Sequence, residues 1–256
     1  MADPRNQPMT AMYEAYMARK RRKILDSVDD EFARETKELV LSNFLNPKYS
    51  DLAIFCDDEI FPAHRNIICS QSKYFEVACD GRFREGDGQI RLEGQDPILV
   101  KKTLEFLYTG NYTYDPPLYL EMGRLSEAEI EPLAEIGGRT GIVNPRFGEP
   151  YFDAQMYAQG DYFQIDTLKC KAKKYFKESF LRYTTRDSYT SAVIEVYSST
   201  AENDRGLRDL VVQLTTNNLP LLRRAADPIL HDNLLECIPS FMRDICLSAV
   251  ERCAQL

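Results

Sequence analysis

Apolar positions change texture along this chain. Between residues 46 and 114 they come in short runs. Tyr49-Ser50-Asp51-Leu52-Ala53-Ile54-Phe55-Cys56 has strand length, Asp57-Asp58 suits a two-residue turn, and Glu59-Ile60-Phe61-Pro62 returns as a second strand. Pro62 cannot donate to a ladder and is expected to end that strand. Ala63–Ser70 and Ser72–Cys79 read as two short helices, with Gln71-Ser72 supplying the cap of the second. A third strand is expected at Gln89–Glu93. Asp96-Pro97 then marks a helix start and Gly110 its left-handed end, with Val100, Leu104, Leu107 and Tyr108 on one face. The tetrad Asn111–Tyr114 reads as β-rich.

Beyond residue 150 the periodicity is helical throughout. One helix is expected to stop at Gly160. Asp166 and Asp187 are expected to cap two more, bearing Leu168, Ala172 and Phe176, and Tyr189, Ala192, Val193 and Val196. Leu207, Leu210, Val211 and Leu214 mark another, and Pro220, Pro228 and Pro239 punctuate the remainder. No period of 20–50 residues repeats, which argues against a solenoid.

Two stretches stand outside these patterns. Residues 11–45 read as a helix behind a polar N-terminal tail, and five consecutive cations occupy residues 19–23. Asp26, Asp29, Asp30 and Glu31 follow closely enough to pair with them, so a solvated, self-neutralising helix is favoured over a nuclear import signal. Residues 115–150 hold five of the 13 Pro and five of the 12 Gly, and seven acidic residues against three Arg. This reads as an acidic insertion, with one helix at Ser126–Ile136 opened by a Ser126/Glu129 capping box. The resulting organisation is an N-terminal tail and charged helix (1–45), an α+β domain carrying the insertion (46–183), and an all-helical C-terminal region (184–256).

Composition narrows the function. The 256 residues carry a net charge of −8 and a pI near 5.0, the wrong sign for a general phosphate-backbone binder. No apolar run approaches the ~18 residues of a membrane helix, and the N-terminus lacks a signal-peptide stretch, so neither membrane insertion nor secretion is expected. Seven Cys without a CxxC pair are expected to be reduced and buried, with Cys237, Cys246 and Cys253 as small apolar core residues of the last helices. Only His64 and His231 could serve zinc or base chemistry. Cys56, Cys69 and Cys79 stand at spacings from His64 that match no zinc pattern, and Cys69 does not share its helix ridge. GxGxxG, GxxxxGK[ST], HExxH and Gly-x-Ser-x-Gly are all absent. No catalytic, metal or cofactor residues are singled out, and a binding function is expected rather than an enzyme.

A resemblance then emerges from the residues in order. Tyr49-Ser50-Asp51-Leu52, Phe61-Pro62-Ala63-His64-Arg65-Asn66-Ile67-Ile68, Ser72-Lys73-Tyr74-Phe75, Phe83-Arg84-Glu85 and Phe106-Leu107-Tyr108-Thr109-Gly110 resemble the BTB (POZ) domain. Met156–Phe163 with Leu168-Lys169 is similar to the family's following helix pair, with Gly160 where Lys is usual. The texture resembles BTB-only proteins of filamentous fungi.

The resemblance implies a small mixed sheet flanked by helices and used for protein–protein association. It implies that Asp51 and Arg65 are the charged pair near a dimer groove and that His64 is structural. Phe83-Arg84-Glu85 resembles a hydrophobic-x-Glu motif that engages a cullin scaffold, an aromatic anchor beside an orienting charge. The expected function is thus a protein-interaction module. It is read as an adaptor of a cullin-type ubiquitin ligase with possible self-association, or else as a nuclear regulatory scaffold without a DNA-binding domain of its own. A cytoplasmic or nuclear location goes with either, and no direct nucleic-acid contact is expected.

Overall fold

A computed structural model describes residue 17 and residues 30–80, 88–114, 148–182, 185–224 and 228–254. It divides into two compact units, residues 1–44 and 45–256. In the first, α1 (Asp30–Leu41) is helical and closes with Ser42 Oγ and Asn43 Nδ2 donating to the Leu39 carbonyl at 2.7 and 3.0 Å. The 19–23 cations lie outside the described residues, as does most of the acidic insertion with its expected helix at Ser126–Ile136.

The second unit begins with a sheet of order β2-β1-β3. β1 (Leu52–Cys56) and β2 (Glu59–Ala63) form an antiparallel hairpin around Asp57-Asp58, with Asp57 left-handed at φ 47°. Pro62 does not end its strand: it pairs with Ala53 and β2 runs on to Ala63. Counting outward from the Cys56–Glu59 pair at the turn, residue 62 takes a position without ladder hydrogen bonds, so the missing N–H costs nothing there. β3 (Gln89–Leu92) lies parallel to β1. α2 (Arg65–Ile68) and α3 (Lys73–Asp80) belong to the crossover between β2 and β3. Leu52, Ile54, Cys56, Phe61, Ala63, Ile90 and Leu92 line the buried face, the alternation a one-sided sheet requires.

α4 (Pro97–Thr109) is capped at both ends as its sequence predicts. Asp96 accepts from the Ile98 N–H at 2.8 Å, and Gly110 at φ 69° returns its N–H to Phe106. Asn111–Tyr114 forms no strand, contrary to the β-rich reading. Side chains hold it instead. Asn111 accepts from Tyr175 at 2.5 Å, Tyr112 donates to Asp153 at 2.9 Å, and Thr113 accepts from the buried Lys102 at 2.7 Å.

The rest is helical: α5 (Glu149–Tyr162), α6 (Asp166–Ser179), α7 (Arg186–Ser199), α8 (Arg205–Asn217), α9 (Leu219–Arg223), α10 (Asp232–Cys237) and α11 (Pro239–Ala254). α5 continues through Gly160. A Cβ there would come within 2.9 Å of the Lys169 backbone nitrogen, so glycine is what lets α5 and α6 approach so closely. Asp166 is the first residue of α6, and its N-cap Ile165 makes no side-chain cap. Thr185 rather than Asp187 caps α7, accepting from the Ser188 N–H at 3.2 Å. Cys237, Cys246 and Cys253 are exposed rather than core, and so is Cys170. Four thiols therefore depart from the expectation of burial, Cys246 and Cys253 because α11 buries only Phe241 and Asp244.

Candidate functional site

The surface singled out by the sequence is built around His64. Its Nε2 lies 3.1 Å from the Lys48 carbonyl, which can only accept, so that nitrogen carries the proton. Nδ1 then accepts from Tyr108 Oη at 2.8 Å, while the same Oη accepts from the His64 backbone N–H at 2.9 Å. Burial pushes the Tyr108 phenol up to about 12, keeping that proton in place. Both ring nitrogens are committed, and His64 is a structural clasp as the resemblance implies.

The clasp fixes the turn before β1. Lys48 N–H donates to Asn46 Oδ1 at 3.0 Å, and both the N–H and hydroxyl of Ser50 donate to the Pro47 carbonyl. Tyr49 is held left-handed at φ 65° and projects outward, 81% exposed. A bulky residue in that region is a backbone outlier.

Asp51 and Arg65 are brought together. Asp51 Oδ1 accepts the Arg65 backbone N–H at 2.8 Å and so caps α2, whose own N-cap His64 supplies no side-chain bond. Gly88, read from the sequence only as part of a flexible connection into β3, completes the corner. At φ 83° its carbonyl accepts from Ala53 N–H at 2.9 Å, and a Cβ there would stand 3.3 Å from the Asp51 carbonyl and 3.7 Å from Arg65 Nη2. The Gly-rich spacing of residues 81–88 was the available signal. Phe83, Arg84 and Glu85 lie outside the described residues, between the end of α3 at Asp80 and Gly88.

The thiols near His64 are donors, not ligands. Cys56 Sγ donates to the Gln95 carbonyl at 3.1 Å and Cys69 Sγ to that of Phe75 at 3.5 Å. Burial raises these thiols to about 11 and about 12. Among the described residues, no group of three His, Cys, Asp or Glu side chains is placed to hold a metal. No described helix is long and apolar enough to cross a membrane.

α3 joins this module to the helices that follow. Ser72 Oγ accepts from Phe75 N–H at 3.2 Å, the expected cap, and donates to the Phe163 carbonyl at 2.7 Å. Phe75 stacks on Phe163 with centroids 5.0 Å apart and planes 13° apart.

A strand hairpin, a parallel third strand and a helical crossover, closed by a capped helix, describe a BTB/POZ fold. Residues 41–124 match the BTB/POZ domain family model, and this part of the chain is a BTB/POZ domain, a protein–protein interaction module. Kelch-like protein 38 of Danio rerio is 27% identical over 167 residues, which is 61% of this chain and 27% of that protein. Kelch-like protein 30 of Mus musculus is 27% identical over 94 residues, 36% of this chain and 14% of the relative. The chain thus spans about a quarter or less of the length of these curated relatives. The solved BTB domain of zebrafish PATZ1 covers 60% of this chain and all of its own, at 14% identity and a TM-score of 0.36. That of human gigaxonin covers 58% of this chain and 95% of its own, at 17% identity and a TM-score of 0.35.

Proposed function

We propose that this protein is a BTB adaptor that presents itself to the N-terminal part of a cullin scaffold, with Phe83 as the inserted anchor and Glu85, beside Arg84, setting its orientation. The observation that carries the reading is the BTB/POZ domain at residues 41–124, with Phe83-Arg84-Glu85 inside it in the frame of a cullin-engaging motif. In the sequence Phe83 follows three positions after α3 ends at Asp80. Asp51 and Arg65 form a second, charged edge that serves self-association. A cytoplasmic or nuclear location follows from this role.

The direct experiment is a pull-down with a purified cullin N-terminal domain. Wild type is expected to bind. The Phe83→Ala/Glu85→Ala variant, with unchanged circular dichroism, is expected to bind at least about tenfold more weakly, the scale of one lost hot spot. No binding by wild type, or equal binding by the variant, overturns the adaptor reading.

A further inference from the structure

The sheet ends in two edges, β2 on one side and β3 on the other, and their backbones differ. The register of β2 with β1 turns the backbone groups of Ile60 and Pro62 outward. Pro62 has no N–H to offer. The next N–H on that side, of His64, is given to Tyr108 Oη at 2.9 Å. Ile60 therefore keeps a lone outward donor between Glu59 and His64, and an edge missing alternate donors resists the addition of a strand.

The β3 edge is open. Ala53 N–H donates to the Gly88 carbonyl at 2.9 Å, and Ala53 stands beside Gln89 and Phe55 beside Arg91. In a parallel ladder that register points the backbone of Ile90 at β1 and turns the N–H and C=O of both Gln89 and Arg91 away from it. Among the described residues none of these four groups has a hydrogen-bond partner. Two donors and two acceptors, repeating at roughly 6.6 Å along a strand, match the backbone of an extended chain and not that of a helix, whose groups are already paired. Arg91 adds a chemical preference. Its side chain is exposed, its guanidinium lies 4.6 Å from the centre of the Phe55 ring, and among the described residues it pairs with no carboxylate. Ile90 and Leu92 point the other way, into the core.

We infer that the outer edge of β3 takes an extended segment of a protein partner as a fourth strand. The segment's backbone bonds to Gln89 and Arg91, and a carboxylate side chain stands beside Arg91 on the solvent face. Its alternate residues are apolar, because they continue the side of the sheet that Ile90 and Leu92 bury. This contact uses neither Phe83 nor Glu85 and does not depend on cullin engagement.

The test titrates the full-length chain against a fluorescein-labelled peptide, Lys-Thr-Val-Thr-Val-Glu-Val-Thr-Lys, read by fluorescence polarisation. Binding is expected, with slowed amide exchange at Gln89 and Arg91 and no change at Ile60. Only one alternate set of peptide N–H groups can face β3. N-methylation of that set is expected to weaken binding at least about tenfold, and of the other set to leave it unchanged. Arg91→Glu, with circular dichroism identical to wild type, is expected to weaken binding at least about tenfold through like-charge opposition. The peptide with Lys in place of its Glu is expected to bind that variant again. The Phe83→Ala/Glu85→Ala variant is expected to bind as wild type does, which keeps this result distinct from the cullin test. No binding, equal loss from both methylated peptides, or protection at Ile60 in place of Gln89 and Arg91 overturns the inference. So does protection of Gln89 and Arg91 that rises with protein concentration in the absence of peptide, which would assign the edge to a second copy of this chain.

Discussion

The sheet module and the helical region after residue 148 are held together by different means. In the module the packing is chiefly apolar, with strand residues alternating in and out and Ile68, Phe75, Val100 and Leu104 filling the interior. Its buried polar side chains include His64, which clasps Lys48 and Tyr108, and Ser72, which caps α3 and bonds the Phe163 carbonyl. In the helical region the joints between elements are themselves polar. Asp153 on α5 ties Tyr112 to Ser179. Tyr189 on α7 bonds Thr215 on α8 at 2.7 Å. Arg208 on α8 is buried and donates to the Tyr197 and Thr200 carbonyls at the end of α7. A buried donor or acceptor that loses its partner keeps its desolvation penalty, so such joints are specific in geometry, and the one built on the Asp153 carboxyl is also sensitive to protonation. An apolar core should be indifferent to pH; the Asp153 joint should not be.

The largest expected effect lies in the apolar region. Phe75→Ala removes a fully buried ring stacked on Phe163 and should cost about 3–5 kcal/mol of unfolding free energy in urea titrations. That cost should be the same at pH 5 and pH 8, and a strongly pH-dependent cost would break the contrast.

Asp153 tests the opposite side. Burial pushes its carboxyl up to about 7, although hydrogen bonds from Tyr112 and Ser179 pull the other way and Glu149 and Glu178 add to the rise. The folded protein therefore holds this proton to a higher pH than the unfolded chain, whose carboxyl releases it near 3.8. The contribution of this group to stability is greatest below about pH 4, falls as pH rises toward 7, and is flat above it. A shift of this size corresponds to roughly 4 kcal/mol across the window. Asp153→Asn should remove that slope, so the difference between variant and wild type should change steadily between pH 4 and 7. A constant difference would show that the residue does not titrate there.

A smaller effect is expected at His231. It caps α10 by accepting the Leu234 N–H on Nδ1 at 3.1 Å, which a protonated ring cannot do. Burial, then the Arg186 cation, lowers its pKa from 6.5. Its contribution is present above pH 6.5 and is lost as pH falls through the lowered value. His231→Ala should cost about 1 kcal/mol at pH 8, the usual worth of a helix N-cap. His231→Asn should keep the cap and flatten the acid-side decline, measured by thermal unfolding at several pH values.

The same contrast explains what could be read from the residues alone. β1, β2, β3 and α4 were legible because alternation, a turn pair and the Asp96-Pro97/Gly110 punctuation act within a few positions. The clasp at His64 was legible only as a family likeness, since its partners Lys48 and Tyr108 are 16 and 44 residues away. Long-range partners also misled the caps: Asp51 reaches across the fold to α2, while Asp166 and Asp187 merely sit in first turns. The exposed thiols of α11 were taken for core because a stripe of small apolar residues looks the same whether it faces inward or outward.

The double service of Asp51 bears on how the charged corner should be probed. It is named for recognition, yet its carboxylate oxygen also terminates the backbone of a four-residue helix. Alanine there deletes a charge and a structural acceptor together, so diminished association could report a loosened scaffold. Asparagine removes the charge and preserves the acceptor; comparing the two substitutions separates recognition from architecture in one experiment.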